Sequence, residues 1–392
     1  MKTKEKLAEK YRTWVELDTK AISQNYRTFR KLIPKKTALM AVVKSNAYGH
    51  GLMEFSLEVE KLGVDWLGVD SVVEATALRR EGIKKPILVL GYTLPNMFVQ
   101  IVDHNIQMSV ATFEQLDALR RVRQAHRKQA QGKRFLGVMS IHIKVDTGMH
   151  RQGFLMEDSE RLFKVLAKMR GQINVAGLFT HFAAAKNPNG PDATKKQIAE
   201  FNEWRKLFKE NGYDPITHAS ATAGALLYPE AHYDLVRIGI GMFGMWPSAE
   251  VRKYAEGKIK LVPVLSWKTI ISEIKELPKG TSIGYDFTEK VSRDSKVAVC
   301  PVGYWHGYLR AFSGKAETLV HGKRAKIIGR VSMGMIVIDV TNIKGVKVGD
   351  MVTLLGKDKK ETVAADELAK IAGTVHYEIV TGINPRIKRV VK

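Results

Sequence analysis

One cysteine, Cys300, stands among 392 residues. An intramolecular disulfide framework is therefore excluded, and the sequence suits a reducing compartment. Cys300 ends the apolar run Val297-Ala298-Val299 and reads as a buried structural thiol. Long apolar runs are also lacking: none approaches the ~18 residues that a membrane span requires. The opening ten residues, with lysines at 2, 4, 6 and 10, contain no apolar core and do not read as a secretory signal. A cytoplasmic protein without a membrane partner is expected.

Acidic residues are the other shortage. Asp and Glu number 40 against 63 Lys and Arg, a formal charge of +23. Such an excess raises the question of nucleic acid. Basic pairs are spread along the chain at Lys35-Lys36, Arg79-Arg80, Lys84-Lys85, Lys195-Lys196 and Lys359-Lys360. The densest stretch, Arg120-Arg121 through Arg134, reads as a helix and its following loop. No RNP signature or zinc-finger spacing accompanies it. The charge reads as a solvated surface with at most weak, salt-sensitive polyanion binding. No specific nucleic-acid partner and no metal are expected.

What is present is an ordinary globular composition, 45% hydrophobic and 26% charged, in a chain long enough for two domains. Short apolar runs at 37–43, 65–69, 86–90, 107–110, 137–144, 173–178, 215–219 and 234–238 read as strands. Amphipathic patterns at 71–80, 112–128, 158–168 and 192–210 read as helices between them. Eight strands alternating with helices predict a parallel (β/α)8 TIM-type barrel, whose active site lies at the strands' C-terminal ends. Lys44, Lys144 with Asp146, His181, His218 and Arg237 fall at or just past such ends. A polar, turn-rich stretch from Trp246-Pro247 to Gly257 follows. Beyond it, short β-type segments at 262–274, 295–302, 317–321, 335–340 and 350–355 predict a mostly β-strand C-terminal domain. The expected division is a barrel over 12–255 and a β domain over 256–392, with residues 1–18 packing on the latter.

The most informative stretch is 41–51, Ala-Val-Val-Lys-Ser-Asn-Ala-Tyr-Gly-His-Gly. Leu39 to Val43 form an apolar strand that delivers Lys44 at its C-terminal end, ahead of small residues and glycines that must turn. Desolvating an ammonium is unfavourable. A lysine so placed has the lowered pKa that Schiff-base chemistry needs. The physics alone leaves open a lysine that snorkels from a strand end.

The string as a whole resembles the pyridoxal-phosphate (PLP) lysine motif of the alanine racemases. The likeness extends from Trp14-Val15-Glu16-Leu17-Asp18 to Pro385-Arg386 and includes Ile143-Lys144-Val145-Asp146-Thr147-Gly148-Met149 and Asp234-Leu235-Val236-Arg237-Ile238-Gly239-Ile240-Gly241. It implies that Lys44 holds PLP and acts as one of two acid/base groups. The second, needed because one base returning its own proton preserves configuration, is implied to be Tyr285 in Gly284-Tyr285-Asp286-Phe287-Thr288. It implies that Arg237 donates to the ring nitrogen and that His181 lies beside the ring. Tyr48, Thr222 and the N–H groups of Gly239 and Ile240 would hold the phosphate. Arg151, Met333 and Tyr304 would meet the substrate. Lys144 matches a lysine often carbamylated in the family. A homodimer with sites completed across the interface is likewise implied.

The sequence also departs from the family. Ala221 replaces an asparagine. Ser332-Met333-Gly334-Met335 and Gly303-Tyr304-Trp305-His306-Gly307 each lose an acid, and a tyrosine is replaced around Pro385. The implied function is racemisation of L- and D-alanine for peptidoglycan. A broader racemase acting on serine or larger residues is the alternative. A decarboxylase on the same barrel would need a cysteine in another context than that of Cys300. A small PLP carrier would lack residues 258–392, and a basic binding protein would show no cofactor absorbance.

Overall fold

The computed structural model describes residues 7–129 and 137–392. The chain divides into two compact units. One comprises Lys20–Ser45 and Ser56–Val262, the other Met1–Thr19, Asn46–Phe55 and Pro263–Lys392.

After a first strand, β1 (Thr13–Leu17), come the eight parallel strands of the first unit. They are β2 (Ala38–Val42), β3 (Trp66–Val69), β4 (Ile87–Val89), β5 (Gln107–Val110), β6 (Met139–Lys144), β7 (Ile173–Phe179), β8 (Ile216–His218) and β9 (Leu235–Ile238). β2 pairs with both β3 and β9, and neighbours follow one another round to β8. β8 and β9 are tied by Asp234 N–H to Thr217 O (3.1 Å) and Arg237 N–H to Ser220 O (2.9 Å), and the Asp234 carboxylate also accepts from Thr217 N–H (2.8 Å). The result is a nearly closed barrel. Its strands are buried on both faces, which is why they read as continuous apolar runs.

The expected helices form as Val72–Arg80, Phe113–Gln129, Ser159–Lys168 and Asp192–Glu210. Val72–Arg80 shows the local logic. Ser71 accepts from Glu74 N–H at its start, and Arg79 and Arg80 lie in its last turn. Arg120 and Arg121 sit on helix Phe113–Gln129, both paired with Asp117. The basic stretch beyond residue 129, as far as 136 and so including Arg134, lies outside the described residues. The polar segment 246–257 contains a helix, Ala249–Ala255, capped by Ser248.

The second unit carries β10 (Leu265–Ile270), β11 (Glu273–Leu277), β12 (Ser282–Ile283), β13 (Glu289–Lys290), β14 (Ser295–Cys300), β15 (Glu317–Val320), β16 (Lys323–Ile328), β17 (Ile336–Asp339), β18 (Met351–Asp358), β19 (Glu361–Val363) and β20 (Lys388–Val391). All but the β12–β13 hairpin join one ten-stranded sheet with β1, which lies between β10 (antiparallel) and β20 (parallel). The single strand expected over 262–274 is in fact two. The chain turns at Ile271-Ser272, where Ser272 N–H bonds to Val299 O, and β11 leaves to pair with β14. Apolar residues on both sides of the turn conceal it in the sequence. Helices Ala365–Ala372 and His376–Thr381, unmarked in the sequence reading, follow β19. Cys300 is fully buried, and burial pushes its thiol up in pKa. Among the described residues no helix is long and apolar enough to cross a membrane.

Candidate active site

The C-terminal ends of β2, β6, β7 and β9 gather Lys44, Lys144, Arg151, His181 and Arg237 in the barrel unit. Lys44 follows β2 directly. The desolvation expected of it is not found: its side chain is 39% exposed and its Nζ pairs with Asp70 Oδ1 at 3.1 Å. Asp70, at the end of β3, was missed, although a carboxylate just past a strand's C-terminal end is itself a signal.

Lys144 ends β6 and is buried. Its Nζ donates to Gln152 Oε1 at 3.2 Å and lies 5.7 Å from the centre of the Phe179 ring. Burial, together with Arg151 and Arg237, pushes its pKa down to about 8. Asp146 offsets part of this shift by its charge but makes no direct ion pair with Lys144. Its Oδ1 accepts from Gly148, Met149 and His150 N–H and its Oδ2 from Arg151 N–H, all within 2.8–3.0 Å. Burial raises the Asp146 pKa, but these four donors outweigh burial and hold it below the usual range. Asp146 thus shapes the turn that leads to Arg151. His181 is neutral: burial first, then Arg237, Arg151, Lys144 and Lys44, push it down to about 3.

Arg237, on β9, is buried. Its Nη1 donates to His218 Nδ1 (2.5 Å) and His218 O (2.9 Å), and its Nη2 to Thr180 O (2.7 Å) and Ala219 O (2.8 Å). The terminal N–H groups are consumed, and only Nε–H has no acceptor among the described residues. Because a guanidinium only donates, His218 Nδ1 must accept, and its Nε2–H then donates to His142 Nδ1 (2.8 Å). His142 Nε2–H in turn donates to Gln107 Oε1 (2.9 Å). Burial and Arg237 lower both imidazoles, His142 to about 3, so the chain is neutral and its tautomers are set. Room for His142 comes from Gly177 on β7, where an added Cβ would lie 2.0 Å from His142 Nδ1. A register shift at Ile141/His142 accompanies this close approach. Arg237 is pushed down to about 9 by burial and remains charged at neutral pH.

Beside it, Gly239 and Ile240 are buried, and neither N–H has an acceptor among the described residues. The Thr222 hydroxyl accepts from Gly241 N–H at 3.3 Å. Buried backbone donors without acceptors are rare. Together with an accessible amine and an unpartnered cationic Nε–H, they fit a phosphate-bearing aldehyde such as PLP.

Past Lys44 the backbone is left-handed for four consecutive non-glycine residues: Ser45 (φ 56°), Asn46 (55°), Ala47 (51°) and Tyr48 (51°). That conformation costs roughly 1–2 kcal/mol per residue, somewhat less for asparagine, so the surroundings must hold it in place.

The second unit makes its own cluster. Tyr285, Tyr304, Arg310, Val331, Ser332 and Met333 line an open cavity of about 360 Å³. Three of these, Tyr285, Tyr304 and Met333, are residues the resemblance singles out; Arg310 had no sequence signal. No carboxylate lines the cavity, in keeping with the acids lost from both motifs. Tyr285 is 67% exposed. It follows Gly284 (φ 75°) and precedes Asp286 (59°) and Phe287 (50°), and Asp286 is ion-paired with Arg330. Tyr304 N–H bonds to Ser332 O and Trp305 N–H to Met333 O, each at 3.0 Å. Gly303 permits that approach, since an added Cβ would sit 2.1 Å from Ser332 O. The Met333 N–H has no acceptor among the described residues.

An eight-stranded barrel with a cationic mouth and an accessible lysine, joined to a β domain that presents a tyrosine, defines a barrel enzyme built for covalent chemistry on small anionic substrates. Residues 17–247 match the alanine racemase N-terminal domain and residues 264–391 the alanine racemase C-terminal domain. The chain belongs to the alanine racemase family. It is 39% identical to the alanine racemase of Symbiobacterium thermophilum, with 96% of each chain covered. To that of Methanococcus maripaludis it is 37% identical, over 96% of this chain and 98% of the relative. Among solved structures it superposes on the alanine racemase of Bacillus anthracis with bound L-Ala-P at a TM-score of 0.88 and 34% identity, covering 97% of this chain and 95% of the other. The family is PLP-dependent.

Proposed function

We propose that this chain interconverts L- and D-alanine by a two-base mechanism, with Lys44 and Tyr285 serving opposite faces of the substrate. The observation that carries the reading is the barrel's cationic cluster. Lys44, Lys144, Arg151 and Arg237 surround a neutral His181. Asp146 is occupied by backbone donors, and Asp70 pairs with Lys44. Such a site calls for anions, and a cofactor phosphate and a substrate carboxylate supply them.

When bound, PLP supplies electron withdrawal that makes the substrate Cα–H acidic. The residues' own tasks follow from their atoms. Lys44 offers the amine for covalent attachment and afterwards holds or takes the proton on its face of Cα. Arg237 offers its Nε–H to the ring nitrogen. A guanidinium gives up its proton reluctantly, so a ring nitrogen facing it would be left unprotonated, which would restrain side chemistry. Gly239 N–H, Ile240 N–H, the Thr222 hydroxyl and Tyr48 bind phosphate, and His181 lies beside the ring. Arg151, Tyr304 and Met333 N–H orient the substrate. Tyr285 moves the proton on the second face.

On this reading residues 20–45 and 56–262 carry all the proposed cofactor contacts except that of Tyr48. The second base comes from the β unit of another copy, in a homodimer. Tyr285, Phe287, Tyr304, Trp305, Met333 and Met335 are all exposed, and aromatic residues and methionine are types enriched at protein interfaces. The product serves peptidoglycan synthesis in the cytoplasm.

Lys144 is the proposed site of carbamylation. Burial and the cations Arg151 and Arg237 push its pKa down to about 8, which makes the neutral amine more available than in an exposed lysine. The neutral amine attacks CO2, a C–N bond forms, a proton leaves to solvent, and an anion replaces a cation beside Arg151. Intact mass measured in bicarbonate is expected to show one added CO2 that acid removes and that Lys144→Arg abolishes. An unchanged mass would sink the assignment.

Chiral chromatography of L-alanine incubated with PLP-loaded protein, beside L-serine and L-lysine, tests the function. Rapid formation of D-alanine with little D-serine or D-lysine is expected. Faster conversion of a larger substrate would overturn the preference for alanine, and no D-isomer from any substrate would overturn the reaction.

A further inference from the structure

The left-handed turn after Lys44 is fastened from the far end of the chain. Residues Asn46–Phe55 belong to the same unit as Pro263–Lys392. Within the turn, Gly51 N–H bonds to Asn46 O (2.9 Å), His50 N–H to Ala47 O (3.0 Å) and Leu52 N–H to Asn46 Oδ1 (2.8 Å). These bonds are local and leave the direction of the turn open.

Arg389, on β20, supplies a long-range tie. Its guanidinium is buried, with Nε and Nη2 both donating to Gly49 O (3.2 and 2.8 Å). Nη1 donates to Asn384 O (2.7 Å) and Ile387 O (2.6 Å), and Nη2 also to Ile383 O (3.1 Å). All five N–H donors of the fork are thus spent on main-chain carbonyls. A buried charge held this way is an expensive device for stability alone. Its fork geometry, however, fixes several carbonyls at once, which a lysine cannot do.

The motif glycines fit the same arrangement. A Cβ on Gly49 would lie 1.8 Å from Val380 O, and one on Gly51 would lie 3.0 Å from Arg389 Cγ. The glycines therefore admit the C-terminal segment against the turn, and Arg389 locks it there.

We propose that Arg389 is a positioning residue for the cofactor site, holding the turn that carries Tyr48 and begins directly after Lys44. The proposal rests on the reading that Lys44 and Tyr48 hold PLP. It acts on how tightly the cofactor is held and leaves the proton-transfer groups themselves untouched.

The test compares Arg389→Lys with Arg324→Ala in the full-length protein. Arg324 lies in the same unit and pairs with Glu317, Glu361 and Glu367 at the surface. Two readouts are used: PLP dissociation, followed by the absorbance of the lysine-bound cofactor, and amide hydrogen exchange at 46–52 in cofactor-free protein. Losing several charge-assisted bonds should raise the Kd for PLP in Arg389→Lys by roughly 10- to 100-fold. Exchange at His50, Gly51 and Leu52 should quicken, and kcat should recover at saturating PLP. Arg324→Ala should lower Tm while leaving PLP affinity and exchange at 46–52 unchanged.

Wild-type affinity and exchange in Arg389→Lys would overturn the proposal. So would a loss of affinity in Arg324→Ala that tracks its loss of Tm. If Arg389→Lys does not fold, Asn46→Ala, which removes the bond to Leu52 from within the turn, must shift both readouts in the same direction or the proposal fails. Retention of the lysine-bound absorbance in Lys44→Ala would instead refute the underlying assignment of Lys44, a result these readouts keep separate.

Discussion

Tyr285→Phe is expected to keep the absorbance of lysine-bound cofactor and to lose racemisation by roughly 10²- to 10⁴-fold, the usual contribution of a positioned acid/base group. The side chain is 67% exposed in the chain, so removing its hydroxyl leaves stability within about 0.5 kcal/mol. The loss is therefore chemical. Its signature is asymmetry: in deuterium oxide one enantiomer should continue to exchange its Cα proton through Lys44, while inversion to the other nearly stops. Racemisation at the wild-type rate would remove Tyr285 from the mechanism and direct attention to another group on that face.

Lys44→Ala should have the larger effect, because one side chain supplies both the covalent hold on the cofactor and a proton-transfer group. A fall in kcat beyond roughly 10⁴-fold is expected, with the lysine-bound absorbance gone. Stability will not account for it. The Lys44–Asp70 pair is 39% and 54% exposed, and such pairs contribute under about 1 kcal/mol. The two variants together also test the shared site. A purified hybrid dimer of one Lys44→Ala chain and one Tyr285→Phe chain holds one site with both groups and one with neither, so about half the wild-type activity should return. If both groups came from the same chain, the hybrid would be as inactive as its parents.

The barrel was legible because parallel strands buried on both faces are mostly apolar, as Leu39 to Val43 are throughout and as β6 is but for His142 and the residues at its ends. Lys44, Lys144 and Arg237 stood out because a cation at the end of such a run is out of place. The β domain was less legible. β10 and β11 read as one β-type segment, and the break between them is a pair of hydrogen bonds to Val299 O and Asp350 O that no local pattern announces. Arg310 was missed for a related reason: it becomes part of a cluster only through residues distant in sequence, among them Tyr285 and Val331 to Met333. The expectation of a desolvated Lys44 failed because a strand's end does not specify how the following turn exposes it.

Composition and residue order by themselves determined the barrel, the β-rich second domain and the motif residues, since burial, periodicity and residue chemistry act within a few positions. The tertiary structure alone decided that Asn46–Phe55 belongs with the C-terminal unit, that four residues after Lys44 are left-handed, and that Gly177 makes room for His142. It also decided that Arg237 spends its terminal donors within the protein and leaves Nε–H over. These are outcomes of steric fit and hydrogen-bond geometry between segments far apart in the chain, and sequence spacing carries no record of them.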